Sequence, residues 1–95
     1  MTPDGLARTH AAAFGGKGWP VADFERYLGE PSILIHGDDR CFAVFRLLGP
    51  EAEILTLATS PSVQREGQAT AMLSGALAIL AAHNVQTVFL DVADD

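Results

Sequence analysis

The chain has 95 residues and a formal charge of −6, from six Lys and Arg against twelve Asp and Glu. That length holds a single domain, expected over residues 1–95 and burying roughly 60–70% of its extended surface, and 48% hydrophobic residues mark it as globular rather than disordered. The acidic balance argues against nucleic acid, whose phosphates need clustered basic side chains, and favours a cationic partner.

In chain order, Thr2-Pro3-Asp4 is a helix start, with a capping hydroxyl, a proline at the first helical position and an acid in the first turn. Leu6, His10 and Phe14 follow on one face, with Ala11 and Ala13 beside them, until Gly15-Gly16-Lys17-Gly18 ends the helix. Pro20 opens a second, short helix carrying Phe24, Tyr27 and Leu28, and Gly29 ends it. Ser32 to His36 reads as a strand and Gly37-Asp38-Asp39 as a turn. Cys41 to Leu48 is a second strand, apolar on both faces apart from Arg46. Gly49-Pro50-Glu51 turns into a third strand, Glu53 to Thr59, and Ser60-Pro61-Ser62 closes it. A loop bearing Gly67 then opens a helix with Ala69, Met72, Leu73, Ala76, Leu77 and Leu80 on one face. His83-Asn84 caps that helix, and Thr87 to Val92 is a fourth strand. Three strands joined by short turns form an antiparallel meander, and the strand–helix–strand crossover adds a parallel pair. The expected fold is α/β: a mixed, mostly antiparallel sheet flanked by helices.

The chemistry concentrates in residues 53–73. A strand that passes through a small-residue loop into a helix exposes the helix's first N–H groups, which have no partner in the helix, at its electropositive end. An anion such as a phosphate can settle there without a basic side chain. The spacing is neither a Walker loop, which needs a lysine, nor the three-glycine dinucleotide fingerprint. The segment Gln64-Arg65-Glu66-Gly67-Gln68-Ala69 matches the pattern Q/R-x-x-G-x-G/A, entered from Leu-Thr-Leu-Ala and a proline turn.

That pattern resembles the pyrophosphate-binding motif of the Gcn5-related N-acetyltransferase (GNAT) superfamily. The run from Glu51 to Ala78, followed by Val85 to Asp95, is similar to the bacterial ribosomal-protein N-terminal-alanine acetyltransferases. The resemblance covers about residues 42–95. It implies that acetyl-CoA is the cosubstrate and that an amine, first the α-amine of a protein N-terminus, accepts the acetyl group. It assigns the diphosphate to Gln64 and to the backbone of Arg65, Gly67, Gln68, Ala69 and Thr70, with the amides of Gly67 and Ala69 nearest. Leu57, Ala58 and Thr59 would pair strand-fashion with the pantetheine amides, which requires this strand to diverge from Val88–Val92. Glu66 and Gln68 depart from the family pattern; an exposed carboxylate about 8 Å from a phosphate raises a dissociation constant about twofold.

By the same resemblance Asp91 occupies the place of the strand glutamate that serves relatives as general base, and desolvation inside an apolar strand would raise its pKa toward neutrality. Glu53 is the alternative base. The Phe14–Pro20 loop, with Phe14 and Trp19, corresponds to the segment that shapes the substrate groove in relatives. The family pattern goes on past Asp95 with an Asn and a helix holding the tyrosine general acid, so the chain reads as a GNAT fold incomplete at its C-terminus, with its first strand short or missing. The 95 residues are therefore expected to bind better than they turn over. They are also expected to self-associate through the exposed Val88–Val92 strand. Two other readings stay open: a CoA-binding module without catalysis, and an acetyltransferase of a small-molecule amine. Cys41 is the sole cysteine and fits a reducing cytoplasm. His10, His36 and His83 lack ligand spacing, so no metal is expected. No apolar run is long enough to span a membrane.

Overall fold

The computed structural model describes residues 1–64 and 66–90. Its elements are α1 (Pro3–Ala13), α2 (Val21–Leu28), β1 (Ile33–Asp38), β2 (Cys41–Leu48), β3 (Glu51–Thr59), a 3-10 turn (Pro61–Val63), α3 (Gln68–Ala82) and β4 (Thr87–Leu90). The start of α1 is chemically determined: the Thr2 hydroxyl accepts the Gly5 N–H at 3.0 Å, and Pro3 occupies a position where a missing N–H costs nothing.

The four strands form one sheet in the order β1-β2-β3-β4, antiparallel except for the parallel β3–β4 pair that α3 connects. This is the mixed sheet read from the order of elements. β2 lies inside and is buried on both faces, which explains its near-continuous apolar run. Cys41, Ala43 and Phe45 pack with Ala52 against Met72, Ala76 and Leu80 of α3. Phe42 and Val44 pack with Ala58 against Leu6 and Ala7 of α1 and Phe24 of α2. Alternation along β2 therefore places α3 on one face of the sheet and the α1–α2 pair on the other. Phe24, Phe42 and Phe45 are fully buried, each contributing roughly 1.5–3 kcal/mol from apolar surface removed from water.

Several boundaries shift from expectation for local reasons. β1 runs to Asp38 instead of ending at His36, because the Asp38 carboxylate closes a tighter turn by accepting the N–H groups of Arg40 at 2.8 Å and Cys41 at 3.0 Å. β3 begins at Glu51, since the Gly49-Pro50 turn is complete without it. Leu77, expected on the inner face of α3, is 43% exposed; the inner stripe is the narrower Met72, Ala76, Leu80 row. The part of the fourth strand expected beyond Leu90 lies outside the described residues.

Candidate active site

A bulge in β3 shapes the site. Val44 faces Thr56 but Phe45 faces Ile54, which leaves Leu55 as an extra residue opposite β2. Leu55 and Thr56 both turn to the α1–α2 face, Leu55 into the apolar cluster there and Thr56 toward His10. A bulge bends its strand and increases its twist. Among the described residues the β3–β4 pairing covers Glu51–Ile54 against Thr87–Leu90 and ends one residue before the bulge. From Leu55 to Thr59, β3 continues without a described partner on that edge.

A groove of about 470 Å³ opens beside this part of β3. Leu57 and Thr59 of β3 form one wall, and Ala13 and Phe14 at the end of α1 form the other. Phe14 and Leu57 are 46% and 40% exposed, so the walls offer apolar surface to a ligand. The floor at one end is the head of α3, lined by Gly67, Gln68, Ala69 and Thr70, with Val63 and Gln64 leading into it.

The helix head is open. Gly67 precedes α3 with φ 75°, a left-handed conformation that a residue with a Cβ adopts at a cost, and no side chain caps the helix there. The first bond into the helix is from Ala71 N–H to Gly67 O at 3.1 Å. Among the described residues the amides of Gln68, Ala69 and Thr70 make no hydrogen bond. The approach loop is held to the sheet by Gln64, whose Nε2 donates to the Thr59 carbonyl at 3.2 Å. Gln68 Nε2 donates to Glu66 Oε1 at 3.4 Å, which turns that carboxylate toward a neighbouring amide. Amides with no partner among the described residues at one end, and apolar walls along the rest, suit an amphipathic ligand with an anionic head and a long, less polar arm.

Of the residues singled out in the sequence, Phe14, Leu57, Thr59, Gln64, Gly67, Gln68, Ala69 and Thr70 come together around this groove. The Ala58 side chain turns the other way, 1% exposed in the α1–α2 cluster, so only its backbone is near. Glu53 sits apart from the groove, its carboxylate 3.7 Å from Arg46 Nη1. Trp19 is a packing residue: its ring lies 4.8 Å from that of His10 and 5.6 Å from those of Phe24 and Tyr27. Arg65 and Asp91 lie outside the described residues. Sequence reading missed the bulge, which no glycine or proline marks, and the buried His10, whose place on an apolar helix face was its only signal. Among the described residues no group of His, Cys, Asp and Glu is arranged to hold a metal ion, and no helix is long and apolar enough to cross a membrane.

The family model for the acetyltransferase (GNAT) family matches residues 16–95, and the chain belongs to that family. No curated protein sequence matches it. Among solved structures it is similar to the ribosomal-protein-S18-alanine N-acetyltransferase from Escherichia coli, with 21% identity and a TM-score of 0.81 over 95% of this chain and 60% of that one. The chain thus spans 60% of the length of that enzyme. An aminoglycoside acetyltransferase from an uncultured soil metagenomic sample, solved with sisomicin, aligns at 15% identity and TM-score 0.78, covering 99% of this chain and 75% of that one. The PaiA N-acetyltransferase of Thermoplasma acidophilum, in complex with coenzyme A, aligns at 15% and 0.67, covering 97% and 76%. At these identities the likeness establishes the fold.

Proposed function

We propose that this chain binds acetyl-CoA and belongs to an N-acetyltransferase that passes the acetyl group to an amine, the α-amine of a protein N-terminus being the first acceptor to test. The observation that carries this reading is the groove that brings Gly67, Gln68, Ala69 and Thr70 at the head of α3 together with Leu57 and Thr59 of β3. The amides of Gly67, Gln68, Ala69 and Thr70 would hold the diphosphate, assisted by Gln64 and by Arg65. The pantetheine arm would run between Phe14 and Leu57, against the backbone of Leu57, Ala58 and Thr59.

Transfer then needs no acyl-enzyme. The neutral amine attacks the thioester carbon, the carbon–sulfur bond breaks, the coenzyme leaves as its thiolate, and the proton lost from the amine goes to a base. Asp91 is the proposed base, through a water, because in the sequence it matches the strand glutamate that serves as base in the acetyltransferases this chain resembles. Glu53 is the less suitable choice, since Arg46 already engages its carboxylate. A small-molecule amine is the second reading, supported by the similar fold solved with sisomicin. The acidic balance of the chain suits either cationic acceptor. Buried Cys41 as the single, unpaired cysteine suits the cytoplasm as compartment.

The test is calorimetry with acetyl-CoA on Gly67→Asp and Gly67→Asn. Both side chains tolerate a positive φ, and they differ by one charge. The Asp variant should bind about tenfold more weakly than the Asn variant; equal affinity would remove the diphosphate assignment.

A further inference from the structure

His10 is 3% exposed, yet both of its ring nitrogens are used. Trp19 donates its backbone N–H to Nδ1 at 2.9 Å, so Nδ1 is the unprotonated nitrogen. Nε2 therefore carries the hydrogen and donates it to Thr56 Oγ1, also at 2.9 Å. The rings of Phe14, Trp19, Phe24 and Phe42 surround it at centroid distances of 4.7, 4.8, 5.6 and 6.4 Å. The groups that face it from α1, α2, β2 and β3 are Phe14, Phe24, Phe42 and Thr56, none of them charged.

Three separate pieces of chain meet on this one ring: the second half of α1, the loop after it, and the bulge of β3. Two of them continue directly into the groove. Ala13 and Phe14 end the helix that carries His10, and Leu57 follows Thr56. We propose that His10 is a positioning residue that sets the width of the groove by tying the end of α1 to the bulged strand. This rests on the acetyl-CoA reading, and it assigns the Trp19 loop to holding that wall in place. An arm threaded between Phe14 and Leu57 is gripped at the spacing His10 fixes. A diphosphate at the head of α3 is held by a helix on the other face of the sheet and does not depend on that spacing.

The experiment titrates the intact chain with coenzyme A and, separately, with ADP, which carries a diphosphate but no pantetheine arm. His10→Phe removes both hydrogen bonds while keeping a ring; Thr56→Val replaces the hydroxyl by a methyl group of nearly the same shape. Each should weaken coenzyme A about tenfold and leave ADP within about twofold of wild type. His10→Gln, whose amide nitrogen reaches the Nε2 position, should recover most of the loss. If His10→Phe fails to fold, the Thr56→Val comparison carries the test alone. Unchanged coenzyme A affinity overturns the proposal, and so does an equal loss for both ligands, which would mark a general structural role. A wild-type chain that binds neither ligand overturns the acetyl-CoA reading and this inference with it.

Discussion

A neutral imidazole that accepts on one nitrogen and donates on the other cannot take a second proton without breaking a bond. Protonation of His10 would set Nδ1–H against the Trp19 N–H, and burial already lowers its pKa from the usual 6.5. The unfolded chain therefore takes up this proton at a higher pH than the folded chain does. The stability tied to neutral His10 is complete above about pH 6.5 and is lost progressively as pH falls toward the folded value. Thermal unfolding followed from pH 8 to pH 5 should show that loss, and His10→Phe should flatten it; parallel curves would assign the acid sensitivity elsewhere. The type and helix face of this residue could be read from the sequence, but its partners could not. Thr56 lies 46 positions away along the chain, and only the bulge turns its hydroxyl to the α1 side. At Asp91 the proposed base is tested by Asp91→Asn, which should remove the alkaline rise in acetyl transfer with unchanged coenzyme affinity. An unaltered pH profile would move the base role to another group.

α3 and β3 position the groove, and they differ in how plainly they can be read. The helix follows from its apolar spacing and the glycine before it: Ala69, Met72, Leu73, Ala76 and Leu80 pack toward the sheet as the period implies, and Leu77 does not. Gly75 sits where α3 approaches β1, and a Cβ added there would come 2.9 Å from His36 Nε2. That contact is with the tip of a partly exposed side chain that can swing away. Gly75→Ala should therefore stabilise the chain by about 0.5 kcal/mol, a part of the roughly 1 kcal/mol by which Ala exceeds Gly in helix interiors. Gly75→Leu should destabilise it, because a larger group meets the sheet itself. Urea midpoints distinguish the two, and a loss with Gly75→Ala would mean that His36 cannot move. β3 is a different case. Its composition is that of an ordinary strand, and the bulge at Leu55 arises because Ala52 and Ile54 pack on the α3 side while Thr56 and Ala58 pack on the α1–α2 side. Two hydrophobic layers that are out of step by one residue can be served by one strand only if it carries an extra residue.

At the scale of the molecule, Leu90 is 60% and Phe89 38% exposed on the described end of β4, so an apolar strand faces solvent. Such an edge favours pairing with another chain even at a net charge of −6. Sedimentation should show association that rises with concentration, and Leu90→Lys should reduce it; a monodisperse wild-type monomer would reject the expectation. The amino-acid sequence by itself determined the order of helices and strands, the mixed sheet and the loop that opens α3. Those features depend on local spacing, caps and turn residues, which act within a few positions. Tertiary structure alone decided which face each side chain of β3 meets and that His10 joins α1 to the bulge. These depend on two cores packing at once on opposite faces of one sheet, and no short window of residues contains both.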